Sequence, residues 1–342
     1  MATNLASLVV QKHEQTQVCT LGDYSLRRTA ATLLLILATT HCVLSIFYVN
    51  TSYLNLQRYA NGTERQPFQR RFLMAPVLRL AESSQVFKSL ARRYGENVPQ
   101  PEPMSAEKLA SILASILALN AFGLWTTRVS PRLGLRNWWL LWAAVLAILY
   151  SSYASRYEQA LWYPYDLPHM VLFGLGTICI LTDQPFFFLL WVAIDAPMRE
   201  TSLFLIVVAA WARLQSTRWR LPLLASAALW ILARLLAYHL YPTGTHQWNG
   251  LHWYNEIKPW HLPQLFSISG FLILPVWFGK KYLTAVERRA LVAGTALILA
   301  TFYFSTWNET RAWLEWTTLF AILASAELER HLAHESSLNL QT

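Results

Sequence analysis

From Thr29 to Val49 the chain carries no Asp, Glu, Lys or Arg. That run matches the ~20 apolar residues one helix needs to cross a bilayer, and several later runs approach the same length. Composition agrees: 54% of the 342 residues are hydrophobic and only 14% charged, where soluble proteins carry roughly 25% charged residues. The charges cluster between the apolar runs. The expectation is therefore an all-α, polytopic transmembrane helix bundle, forming a single integral membrane domain over 1–342.

The spans read as 29–49, 107–126, 137–155, 166–182, 185–197, 201–213, 221–241, 265–279, 290–305 and 312–328, about ten including a broken pair. Residues before Arg27-Arg28 are polar-mixed, and no small-residue cleavage site follows the first run, so it reads as an uncleaved span. Short loops bearing Arg27/Arg28, Arg128/Arg132/Arg136, Arg213/Arg218/Arg220 and Lys280/Lys281/Arg288/Arg289 fall on one side when the spans alternate. Basic short loops stay inside, which predicts cytoplasmic termini (1–28 and 329–342). The net charge of +9 lies largely at span ends, where it sets orientation and is not a nucleic-acid footprint. Cys19, Cys42 and Cys179 lack metal-ligand spacing and read as free thiols.

Three regions depart from a plain bundle. The outer loop 50–106 holds many bases, and Phe72, Leu73, Ala75, Pro76, Val77, Leu80, Phe87 and Leu90 are spaced like one apolar helical face, predicting one or two interfacial helices. Pro99-Gln-Pro-Glu-Pro103 ends the loop stiffly. The segment 185–213 has two short apolar arms around Asp195-Ala-Pro-Met-Arg-Glu-Thr201. Such a break is tolerated at membrane depth only inside protein or along a water-filled cavity. The outer loop 242–264 interleaves Trp248, Trp253 and Trp260 with His246, Asn249, His252, Asn255 and Glu256.

Ionisable groups at membrane depth are costly and so are candidates for function. They converge on the outer face: Asp166 and His169 at the mouth of the fourth span, Asp195, Arg199 and Glu200 in the break, Glu309 and Arg311 with Glu315 at the start of the last span. The first loop adds Glu64, Arg70 and Arg71, and the third region adds His252 and Glu256. Carboxylates beside guanidiniums can combine a general base with a phosphate clamp. Plainer roles compete with these. Arg199-Glu200 and Glu309/Arg311 can be structural ion pairs, Asp166 a helix cap, Arg234 a snorkelling or acid-paired residue, and the loop bases a non-specific surface for anionic lipid. There is no GxSxG, HExxH, P-loop or GxGxxG in a strand–helix setting, which argues against nucleotide-driven chemistry.

Tyr163-Pro-Tyr-Asp-Leu-Pro168 with Arg199-Glu-Thr-Ser-Leu-Phe-Leu205 resembles a group of poorly characterised bacterial polytopic proteins. Asn61-Gly-Thr-Glu-Arg-Gln-Pro-Phe-Gln-Arg-Arg-Phe-Leu73 and Asn308-Glu-Thr-Arg311 fit the same group, which is similar to membrane glycosyltransferases of the GT-C type. The resemblance implies an outer-face site in a bacterial cytoplasmic membrane, a polyprenyl-linked sugar donor, and a glycan or lipid acceptor, with no nucleic-acid partner. Enzymes of that type carry an acidic catalytic residue early in the first outer loop. Here the loop has no Asp, so the role falls to Glu64, Asp166 or Glu200. Arg70, Arg71 and Arg199 are the expected phosphate ligands. The pattern specifies no cofactor, and a divalent cation bridging phosphate and carboxylates is compatible with it. A polyprenyl-diphosphate-glycan polymerase or ligase needs similar groups. A lipid or solute transporter is the non-enzymatic alternative, and a scaffold subunit is a further one.

Overall fold

The computed structural model describes residues 3–97, 102–154, 161–242, 272–304 and 313–339. The described chain is all-α apart from one two-residue parallel ladder. Its helices are α1 (Thr3–Val49), α2 (Leu56–Ala60), α3 (Met74–Ser83), α4 (Gln85–Asn97), α5 (Ala106–Val129), α6 (Trp138–Leu149) and α7 (Asp166–Leu181). They continue with α8 (Pro185–Asp195), α9 (Ser202–Arg213), α10 (Thr217–Leu240), α11 (Ile273–Phe278), α12 (Ala285–Phe304) and α13 (Leu314–Asn339).

Three stretches are long and apolar enough to cross a membrane by length and composition: Leu26–Val49, Ala106–Leu133 and Thr217–Leu240. Helices α6 to α9 are apolar but shorter. Exposed apolar side chains mark the outside of the bundle, as with Leu33, Leu34 and Leu37 on α1, Leu117 on α5, and Leu221, Leu224 and Leu235 on α10.

Helix α7 is the axis. Every residue from Asp166 to Ile180 is buried, the state expected of a helix apolar all round. Its small residues let neighbours approach closely. A Cβ on Gly174 would sit 2.9 Å from Phe122 of α5 and Thr318 of α13, and one on Gly176 would sit 2.4 Å from Leu205 of α9. Close backbone approach through small residues is how helices pack where water supplies no driving force.

Helix α5 starts at Ser105, whose side chain accepts from the Lys108 N–H, filling one of the orphan donors of a first turn. The turn after it closes on Gly134 at φ 74°, a left-handed position that favours glycine.

Within the outer-loop segment, α3 and α4 are two separate helices that part at Ser84. The α3 face made by Met74, Ala75, Leu78 and Ala81 is buried, so this helix packs on the bundle while Val77 and Leu80 point away. The loop is anchored a second time where β1 (Thr51–Ser52) pairs in parallel with β2 (Leu161–Trp162). The span expected at 265–279 is described only as α11, and the Trp- and His-rich segment lies outside the described residues. Helix α1 continues on the N-terminal side of the first apolar run, back to Thr3.

The break is well defined. After α8, the Met198 and Arg199 N–H groups both donate to the Asp195 carbonyl, at 2.8 and 3.2 Å, and the Phe204 N–H donates to the Thr201 carbonyl at 2.8 Å. Tight turns thus satisfy backbone groups of the break within the chain itself.

Candidate functional site

The first turns of α7 and α13 and the end of α8 meet at one end of the bundle, and each brings a titratable group. His169 Nδ1 lies 2.6 Å from Asp195 Oδ1, and His169 Nε2 lies 3.2 Å from Glu315 Oε1. Thr201 donates its hydroxyl to the same Glu315 oxygen at 2.5 Å, and Arg199 Nη1 approaches it at 3.1 Å. All three ionisable side chains around the ring are nearly inaccessible, with Asp195 at 0%, Glu315 at 1% and Arg199 at 5% exposure. An imidazole carries one N–H and an imidazolium two, so only the cation donates to both carboxylates. With Arg199, two positive charges then balance two negative ones, the condition under which buried ions are tolerated. Asp195 Oδ2 and Glu315 Oε2 have no hydrogen-bond partner among the described residues.

A second layer lies against the first. Glu200 accepts from Arg71 Nε at 2.8 Å and pairs with Arg234 Nη1 at 3.2 Å. Arg71 Nη1 also donates to the Tyr165 hydroxyl at 3.1 Å, and the Tyr59 hydroxyl donates to the Arg71 carbonyl. Arg234 Nη2 donates to the Ala196 carbonyl, and Trp230 Nε1 donates to the Glu200 carbonyl at 3.1 Å. Burial works against the Arg71 charge, but the Glu200 carboxylate more than offsets it and raises the guanidinium above its ordinary value. The Glu200 side chain is 35% exposed, which makes it the most accessible of the candidate bases.

Arg70 differs from its neighbours. It is 8% exposed, its guanidinium lies 3.8 Å over the Tyr238 ring, and among the described residues it has no ion pair or hydrogen bond. The other two candidate carboxylates are turned inward. Glu64 accepts from the N–H groups of Asn55 and Arg65, both at 3.1 Å. Asp166 accepts from the Tyr163 N–H and the Tyr153 hydroxyl, both at 3.1 Å, and so braces the turn ahead of α7 rather than capping it as a plain N-cap. Around them Tyr53, Phe68, Tyr163 and Tyr165 form a chain of ring contacts with centroids 5.3–5.7 Å apart. Arg65 packs 4.1 Å over Tyr53 at its edge.

The sequence candidates thus fall into three groups. His169, Asp195 and Arg199 share the buried cluster, while Arg71 and Glu200 share the layer over it. Glu64 and Arg70 stand in the first outer loop and Asp166 in the turn ahead of α7, apart from both groups. His252, Glu256, Glu309 and Arg311 lie outside the described residues. The adjacent residues Arg199 and Glu200 do not pair with each other, because neighbours in a tight turn point apart. Arg199 goes to Glu315 and Glu200 to Arg71 and Arg234. Sequence reasoning placed Glu315 among the outer-face ionisable groups without assigning it a task, and passed over Thr201, Tyr165 and Trp230. An acid in the otherwise uncharged run after Arg311 was the available signal for Glu315. Among the described residues, no three His, Cys, Asp or Glu side chains are grouped to hold a metal ion.

No protein-family model, no curated protein and no solved structure matches this chain.

Proposed function

We propose that this chain is a membrane glycosyltransferase of about ten spans, with both termini cytoplasmic, working at the outer face of a bacterial cytoplasmic membrane. It takes a sugar from a polyprenyl-linked donor and passes it to a hydroxyl of a glycan or lipid acceptor. The carrying observation is Arg70, a buried guanidinium without an anion among the described residues. A buried charge is costly unless paired, and a donor phosphate offers both charge and the two-oxygen edge a guanidinium fits. Arg71 and Arg199, the other expected phosphate ligands, are each engaged by a carboxylate, so they orient the site.

Glu200 is the base this reading favours over Glu64 and Asp166, since it alone combines exposure with a fixed position. The acceptor oxygen attacks the anomeric carbon, its proton passes to Glu200, and the bond from that carbon to the phosphate oxygen breaks. Arg70 meets the charge left on the departing phosphate. The test is transfer by the reconstituted chain. Arg70→Ala should lower it at least a hundredfold with folded yield unchanged, whereas wild-type turnover in this variant overturns the reading. Comparing mono- and diphosphate donors separates a transferase from a polyprenyl-diphosphate-glycan polymerase or ligase.

The His169 cluster favours a second reading, a proton-coupled transporter of a lipid or solute, because intramembrane His and carboxylates are the groups that proton relays use. Flux into liposomes without sugar transfer puts that reading first.

A further inference from the structure

Helix α1 ends at Val49 and α5 begins at Ala106, so both meet the first loop at one level, and α4 lies across them there. Two cavities open at this crossing. One, of about 430 Å³, has Leu90 and Arg93 of α4 on one side and Leu109 and Leu113 of α5 on the other. The second, of about 290 Å³, lies between the last turns of α1, with Leu44, Phe47 and Tyr48, and Ile112 of α5. Tyr94 lines both.

We infer that this crevice binds one anionic phospholipid, its headgroup phosphate on Arg93 and its two acyl chains in the two cavities. The larger cavity exposes almost wholly apolar wall, while His41, Ser45 and Tyr48 add polar edges to the smaller one. Below the larger cavity the α5 surface continues through Leu113 to Leu117, which is 70% exposed, so the groove runs on into the apolar belt. Above it the charge is complementary to an anion. Lys88, Arg92 and Arg93 are exposed on α4, against Glu96 alone.

Helix α4 also needs a cover. Of its residues only Ala91 is buried, while Val86 and Leu90 are 64% and 48% exposed. Bases and apolar residues exposed together on a short helix suit the headgroup–acyl boundary. A neutral phospholipid fills the cavities but leaves the bases unmatched, and a soluble anion does the reverse. The inference requires only that the chain lie in a membrane and holds whether or not sugar transfer occurs.

The test uses the full-length chain purified in detergent, with dioleoyl phosphatidylglycerol or dioleoyl phosphatidylcholine added. Native mass spectrometry should show one tightly retained phosphatidylglycerol and a raised thermal midpoint, with the phosphatidylcholine adduct lost at lower activation. Arg93→Gln, at an exposed position, should keep its lipid-free midpoint and bind phosphatidylglycerol roughly fivefold more weakly, the factor expected for one base near an anionic headgroup. Leu113→Trp, which fills the larger cavity, should abolish retention. Equal retention of the two lipids, or an unchanged preference in Arg93→Gln, overturns the inference. Arg70→Ala, which tests the transferase reading, should leave the lipid preference as it is.

Discussion

Arg71 and Glu200 meet at 2.8 Å across 129 positions of sequence, joining the first outer loop to the break between α8 and α9. Arg234 holds the other Glu200 oxygen at 3.2 Å, so one carboxylate binds two guanidiniums. Glu200→Gln leaves those two charges facing each other. Removing one partner of a buried pair costs ~3–5 kcal/mol, and Glu200 is one-third exposed, so solvent screening lowers the expected loss to about 2 kcal/mol. Arg234→Met in the same chain should recover part of it, because only one guanidinium then remains for the amide to satisfy. Thermal unfolding of the three proteins in one detergent decides the matter.

The sequence reveals these helices more clearly than it reveals their contacts. Long apolar runs announce α1, α5 and α10, and the short apolar arms around Asp195–Thr201 announce α8 and α9, because burial and membrane length act on composition directly. The pairing inside the site leaves no such trace. Whether Arg199 reaches Glu200 or Glu315 depends on how a tight turn rotates successive side chains. Glu315 joins the cluster only because α13 packs beside α7 along Gly174. The β1–β2 ladder is equally invisible, since two residues carry no periodicity.

At the opposite end of the bundle, Glu287 of α12 binds Arg330 of α13 through both oxygens, at 2.5 and 2.8 Å, and Arg330 also donates to the Leu133 and Tyr282 carbonyls. Burial works against the Glu287 charge, but Arg330 and the Thr284 N–H more than offset it and hold the carboxyl below its ordinary 4.5. A depressed carboxyl contributes stability that is fully present above 4.5 and is lost as pH falls through the lowered folded-state value. The thermal midpoint should therefore drop below pH 4.5 more steeply in wild type than in Glu287→Gln. Identical acid limbs in the two proteins would contradict this assignment.

Gly123 of α5 faces Trp142 of α6 so closely that a Cβ there would lie 2.1 Å from the indole ring. The ring is buried and tethered as well, since its Nε1 donates to Thr39 of α1 at 3.0 Å. It has nowhere to retreat, so Gly123→Ala should cost about 1–3 kcal/mol, the usual penalty of overpacking. Trp142→Phe in the same chain should relieve part of the clash. The midpoints of the two single variants and the double variant measure the coupling.

His169 binds Asp195 and Glu315 at once, so its loss should be non-additive with theirs. His169→Phe leaves two carboxylates facing each other without the cation between them. Glu315→Gln in that background removes one of the two charges. We expect the double variant to be more stable than the sum of the single losses by ~0.5–3 kcal/mol, the range for residues in one network. Strict additivity would mean that the ring does not bridge the two acids.

Arg70 separates a functional charge from a structural one. If its guanidinium served packing, its removal would weaken the fold. It stacks on Tyr238 at 3.8 Å, and its buried Nε has no hydrogen-bond partner among the described residues, so within them a ring contact worth ~0.5–2 kcal/mol is what opposes the cost of keeping the charge largely buried. Arg70→Met keeps the apolar stem over the ring and removes the desolvated charge. The variant should unfold at an equal or higher temperature than wild type, as happens when a site carries strain for its ligand. Its binding of a lipid-linked phosphate should fall at the same time. A lower midpoint with binding intact would assign Arg70 to the fold and remove it from the site.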